Sequence, residues 1–143
     1  MVKVYDENNY LIYSGDTIDN KWHGEGKMFH RNGNVAYEGD FQENLCHGFG
    51  IEYFENGVKA YEGDFINNTY EGRGKKYYIN GNIMYEGNFQ GGTPEGSGKL
   101  YTKDGILYAV GEFKEGKLHG EVKIYSPEGE IVFIGTYENG IRK

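Results

Sequence analysis

The chain has 143 residues, 24 of them glycine, and is 37% hydrophobic with an aromatic share of 16%. This is the length of one ordinary domain, but the composition is poor for a thick aliphatic core and suits a thin β-structure whose rings lie across a sheet. The formal charge of −7, from 22 Asp+Glu against 15 Lys+Arg with no basic stripe, argues against a nucleic-acid partner and disfavours anionic membranes, which require clustered cations.

From the N-terminus, Val2-Lys3-Val4-Tyr5 forms a short strand whose lysine blunts an open sheet edge. It lacks the apolar segment of a secretory signal. No stretch is long and apolar enough to cross a membrane as a helix. The single cysteine, Cys46, excludes an internal disulfide framework and favours a cytoplasmic setting. The chain then repeats: Gly15, Gly39, Gly63, Gly87, Gly111 and Gly135 stand 24 residues apart. The same period carries Gly24, Gly48, Gly72, Gly96 and Gly120, and Gly26, Gly50, Gly74 and Gly98, with Val122 as the one substitute. It also carries the aromatic series Tyr5, Phe29, Tyr53, Tyr77, Tyr101 and Tyr125. No insertion disturbs the register, so the architecture is a tandem array packed neighbour on neighbour.

Residues 48–65, GFGIEYFENGVKAYEGDF, show one unit. Asn56-Gly57 between two strand-forming runs predicts a hairpin with a two-residue type I′ turn, and looser connectors such as QENLCH and INNTYE lead onward. Counting outward from Glu55 opposite Val58, Tyr53 faces Ala60, Glu52 faces Tyr61, Gly50 faces Gly63 and Gly48 faces Phe65. Side chains alternate between faces, so Gly48, Gly50, Tyr61, Gly63 and Phe65 share one. Ile51, Glu62, Tyr53 and Ala60 share the other, where neighbouring repeats place the opposite charges Lys27–Glu38 and Lys75–Glu86 across from one another.

The expected fold is therefore all-β: an elongated, twisted, single-layer antiparallel sheet of about six tandem 24-residue hairpins over residues 1–143. Depleted side-chain volume should curl it into a groove on the glycine–aromatic side, presenting Tyr37, Phe41, Tyr61, Phe65, Tyr85 and Phe89.

The stretch YEGDFQENLCHGFGIEYFENG, residues 37–57, resembles the MORN repeat, whose hallmark is Tyr-x-Gly, a spacer, Gly-x-Gly and a further glycine. It is also similar to the variant MORN-type repeats of bacterial proteins. The resemblance covers essentially the whole chain. The 24-residue period is slightly longer than the family's usual spacing, which implies one extra residue in a loop. Ala109 and Phe133 depart from the Tyr of Tyr-x-Gly, and Val122 from a glycine. The resemblance implies a non-enzymatic protein–protein interaction scaffold. The alternatives it carries are a peripheral membrane lipid-binding module and an antitoxin or immunity-type binding partner.

Other motifs dissolve into the repeat. GEGK, GRGK and GSGK lack the spacing and following helix of a phosphate loop: Thr93 stands where its first glycine belongs, and Leu100 follows Lys99. His23, His47 and His119 share a column with Glu71 and Glu95, but column neighbours lie about 10 Å apart, too far to share a zinc ion. Cys46 reads as a small buried residue, and carboxylates such as Glu38 and Asp40 recur with the period instead of forming one unique site. No catalytic residue, cofactor or metal ligand is expected.

One column breaks the pattern. Where earlier repeats carry Ala36, Glu38, Asp40 and Ala60, Glu62, Asp64, the last two carry Tyr108, Val110, Glu112 and Val132, Ile134, Thr136, with Tyr101 and Tyr125 on the same side. An apolar patch of this kind marks an interface, with a protein partner or with a second copy. The terminal ENGIRK is too short to cover it.

Overall fold

A computed structural model describes all of residues 1–143. The chain contains no helix, and it divides into two compact units, Met1–Thr69 and Tyr70–Lys143. The first holds β1 (Val2–Tyr5), β2 (Leu11–Ile18), β3 (Lys21–Phe29), β4 (Val35–Gln42), β5 (Leu45–Tyr53) and β6 (Lys59–Ile66). The second holds β7 (Thr69–Tyr77), β8 (Ile83–Gln90), β9 (Thr93–Tyr101), β10 (Leu107–Lys114), β11 (Lys117–Tyr125), β12 (Ile131–Glu138) and the two-residue β13 (Ile141–Arg142). Within each unit the strands are antiparallel and follow chain order without crossovers, so the tandem hairpins expected from the period are present.

The turns are the reverse of the sequence expectation. At Asn56-Gly57 only the glycine has positive φ, +88°, and the loop closes through Gly57 N–H to Phe54 O at 3.0 Å and Phe54 N–H to Val58 O at 2.8 Å. A type I′ turn needs positive φ at both central residues, and Asn56 does not supply it. The loop is one residue longer than expected. The tight two-residue turns instead lie in the connectors read as loose. Glu43-Asn44 has φ of +48° and +72°, with Gln42 paired to Leu45. Asp19-Asn20, Gly91-Gly92, Glu115-Gly116 and Asn139-Gly140 also carry two consecutive positive φ angles.

The strand register nevertheless holds. Gly48 pairs with Phe65, Gly50 with Gly63, Ile51 with Glu62 and Glu52 with Tyr61. Tyr53 pairs with Lys59, not Ala60, and Ala60 is left over as a β-bulge. The extra loop residue and the bulge cancel, which is why a wrong turn gave a correct ladder. Lys27 opposite Glu38 and Lys75 opposite Glu86 also stand as expected, with ion-pair distances of 3.9 and 3.8 Å.

Because side chains alternate between faces, each unit has an inner face that collects the rings and an outer face that carries charge. The buried residues are almost all inner: Tyr13, Tyr37, Phe41, Tyr61 and Phe65 in the first unit, and Tyr85, Phe89, Ala109, Phe113, Val122, Ile124 and Tyr137 in the second.

Candidate functional site

The inner face is closed, not grooved. Of the residues expected to line a groove, Tyr61 and Tyr85 are 0% and 1% exposed, and Tyr37, Phe41, Phe65 and Phe89 are each 3% exposed. Each tyrosine ring lies over the glycines of the next strand. A Cβ on Gly50 would sit 2.5 Å from Cζ of Tyr37, and one on Gly98 at the same distance from Cζ of Tyr85. The missing side chains therefore make room for a ring of the same chain, and the expected gap is already filled. The tyrosine hydroxyl then donates to the carbonyl three residues on: Tyr13 to Asp16 O at 2.6 Å, Tyr37 to Asp40 O at 2.7 Å, Tyr61 to Asp64 O at 2.8 Å and Tyr85 to Asn88 O at 2.9 Å. Phenylalanines wedge edge-on between them, with centroids 5.0 Å apart for Tyr37–Phe41, Tyr61–Phe65 and Tyr85–Phe113. Each such pair is worth about 0.5–1.5 kcal/mol beyond burial. Burial and, secondarily, nearby Cys46 and Asp40 hold the Tyr37 hydroxyl well above its ordinary pKa.

In the second unit the pattern changes in a compensated way. Ala109 stands where the ring should be, and Val122 stands where the glycine beneath it should be; they are 0% and 1% exposed and share a cluster with Ile124 and Tyr137. The valine fills the volume that the absent ring vacates.

The strand ends are stitched by polar columns. Asn32 and Asn34 both donate to Glu55 O, at 2.9 and 2.8 Å, and Asn80 and Asn82 both donate to Lys103 O at 2.8 Å. At the other end, the histidine–glutamate column accepts main-chain N–H groups of the following tight turn. Glu71 takes Gly91 N–H at 2.9 Å, Glu95 takes Glu115 N–H at 2.7 Å and His119 Nδ1 takes Asn139 N–H at 3.3 Å. In the second unit both residue types present an acceptor at that reach, whereas His47 of the first unit keeps a buried Nδ1 without a partner. Cys46 is buried and free, and burial, then the Glu52 carboxylate, push its thiol up to about 12.

The open surfaces lie on the outer face, away from the rings. In the first unit a hollow of about 640 Å³ is floored by Gly15, Gly26 and Gly39 and walled by Asp16, Glu25, Glu38, Asp40, Phe49 and Ile51. In the second, a hollow of about 480 Å³ has Arg73, Glu86, Lys99, Val110 and Glu112 around Gly98 and Gly111. The concavity thus opens on the charged face, opposite to the side expected from sequence. The bare glycine backbones form its floor, while the rings occupy the other side.

The residues expected to form a C-terminal interface do share this outer face. Val132 and Ile134 are 63% and 62% exposed and Tyr108 is 41% exposed, while Tyr101, Val110 and Tyr125 are half-buried. They do not form an unbroken patch: Val110 is flanked by Lys99 and Lys123, and Lys123 also pairs with Ile134. The even columns of β10 and β12 became apolar, but β9 and β11 place lysines between them. The last residues leave these side chains uncovered, since Arg142 turns to the other face and stacks 3.8 Å over the Phe133 ring.

The MORN repeat pattern matches residues 37–59, 61–83 and 85–106, and the MORN repeat variant matches residues 22–43 and 118–139. The chain belongs to the MORN repeat family. No curated protein matches it. Ala60 and Met84, the two residues left between successive MORN matches, are also the two that the strand pairing skips. In both repeats the strand thus absorbs one residue as a β-bulge just before the tyrosine. MORN repeats are generally protein or membrane-lipid interaction modules and generally non-catalytic. The sequence signal for the outer hollows lies in the same alternation that defines the inner face.

Proposed function

We propose that this MORN array is a non-enzymatic protein-interaction scaffold of the cytoplasm that engages its partners through its outer face. One observation carries the reading. The inner face is sealed by the chain's own rings, so recognition falls to the outer face, where Tyr108, Val132 and Ile134 stand exposed beside lysines with nothing over them. Exposed apolar side chains rimmed by charge are the usual composition of a protein contact. The test is capture from native lysate by the wild type and by a Val110→Glu/Ile134→Glu variant, which restores the residue type of Glu38, Glu62 and Glu86 in that column. The variant should keep its circular dichroism and lose a captured partner, or a dimer seen in light scattering. Equal capture and equal mass for both proteins, with sedimentation on anionic vesicles, would instead establish a membrane module.

A further inference from the structure

The net charge is not shared between the units. Residues 1–69 hold five Lys and Arg against twelve Asp and Glu, a formal charge of −7, whereas residues 70–143 hold ten of each. The whole excess of the chain therefore belongs to the first unit, and it concentrates on the outer face. Around the first hollow stand Asp16, Glu25, Glu38 and Asp40, with Met1 also lining it and Lys27 as its one cationic side chain, already within 3.9 Å of Glu38.

The fold does not require this. The second unit builds a hollow of the same kind, on the same face, with Arg73 and Lys99 balancing Glu86 and Glu112. The acidic version is also locally unfavourable. Glu25 and Asp40 are directly opposite one another on β3 and β4, and like charges across strands repel. The equivalent pairs of the second unit avoid the conflict: Arg73 faces Asn88, Ser97 faces Glu112 and Glu121 faces Thr136. The second unit also has a like-charge pair, Lys114 opposite Lys117, but it flanks a turn outside the hollow; the acidic repulsion within the first hollow is explained by what that face binds.

Two observations define the occupant. The carboxylates do not converge, and no three of them could hold a metal ion, so they suit positive charges spread along a chain. At one wall of the hollow lies Phe49, 53% exposed although it is a large aromatic in mid-strand, with Ile51 beside it. An apolar side chain of the occupant can pack there. We propose that the outer face of β2–β5 docks an extended, Lys/Arg-rich segment of a partner protein that also carries an apolar residue. The proposal rests on the scaffold reading, but it uses a different surface from the C-terminal apolar residues.

The probe is an acetylated eight-residue peptide of alternating lysine and leucine, labelled for fluorescence anisotropy and titrated with the full chain. A glutamate–leucine peptide of the same length is the charge control, and a lysine–glycine peptide is the apolar control. The lysine–leucine peptide should bind, weaken as salt rises, and outcompete both controls. A Glu25→Lys/Asp40→Lys variant should weaken it at least about tenfold, the loss of roughly two charge contacts. A Glu112→Lys/Glu121→Lys variant of the second unit should bind as wild type. Phe49→Ala should weaken the lysine–leucine peptide and leave the lysine–glycine peptide unchanged. Circular dichroism checks that each variant is folded. Equal loss from both charge-reversal variants would overturn the site, because binding would then follow net charge alone. Dimerisation of the wild type that the Glu25→Lys/Asp40→Lys variant abolishes would also overturn it, by making the occupant a second copy. Failure of the peptide with capture through the C-terminal residues intact would refute this inference and leave the scaffold reading in place.

Discussion

The exchange of a tyrosine–glycine pair for Ala109 and Val122 makes a sharp test of the packing argument. In the regular repeats a ring on one strand lies over a glycine on the next, as Tyr37 does over Gly50. If Val122 replaces that ring's volume, the two positions are coupled and can be exchanged only together. Val122→Gly alone removes a side chain that is 1% exposed. Lost burial of about 1.5–3 kcal/mol and the weaker strand preference of glycine, about 0.5–1 kcal/mol, give a cost of roughly 2–4 kcal/mol. Ala109→Tyr alone drives a ring into a valine already in place and should cost about 1–3 kcal/mol through overpacking. Independent effects would sum to roughly 3–7 kcal/mol. The double variant instead rebuilds the arrangement of the earlier repeats, with a hydroxyl able to reach the carbonyl three residues on, so it should lie within about 1 kcal/mol of wild type. Urea unfolding followed by circular dichroism and by tyrosine fluorescence measures all four proteins, and agreement of the two probes guards against unit-by-unit melting. A double variant as unstable as the sum of the singles would refute the compensation.

Glycines of one hairpin should respond for different reasons. Gly50→Ala should cost about 2–4 kcal/mol because its methyl displaces Tyr37 and that residue's hydrogen bond, whereas Gly57→Ala, with φ +88° and nothing within 4 Å, should cost only the about 1–2 kcal/mol of a left-handed residue; the reverse order in urea melts would defeat the steric account. At pH 8 the Cys46 thiol, pushed up to about 12 by burial and then by Glu52, should react with a disulfide reagent roughly a thousandfold more slowly than in the unfolded chain, and rapid labelling of the native protein would contradict its placement. Burial likewise raises Tyr53 and Tyr85 to about 12, so the folded state holds protons that the unfolded chain releases near 10. Their contribution is fully present below about pH 10 and should be lost between about pH 10 and 12, visible as a falling urea midpoint. Glu95→Ala removes the acceptor for Glu115 N–H and should cost about 1 kcal/mol, with Glu95→His restoring part of it, since His119 performs the same task in its own repeat.

Much of the fold was legible because the period is exact and the alternation is strict. Gly50 opposite Gly63 and Lys27 opposite Glu38 followed from counting alone. The Asn-Gly rule fails at Asn56-Gly57, because a glycine at positive φ serves a three-residue loop as well as a two-residue one, but it holds at Asn139-Gly140, where both residues have positive φ. Asn44, Asn68 and Asn20, which do adopt positive φ, sit in segments whose residue types looked ordinary. The groove does not lie on the glycine–aromatic side because the space beside those glycines is already filled. Tyr-x-Gly-x-Phe opposite Gly-x-Gly leaves space for one ring, and the nearest ring is the chain's own.

That reversal also shows why the functional surface is hard to read in a repeat protein. The inner face is periodic because each tyrosine needs a glycine beneath it and a carbonyl for its hydroxyl, and the one large departure, at Ala109 and Val122, changes both partners together. The outer face has no such constraint. Its columns drift from Glu38 to Val110 to Ile134 and from Glu25 to Arg73 to Ser97 while the strands stay in register. In a chain whose fold is written by repetition, the residues free to differ between units are the ones that can carry recognition. The concentration of the entire −7 formal charge in residues 1–69 is such a difference, and it emerges only when the charges are counted unit by unit.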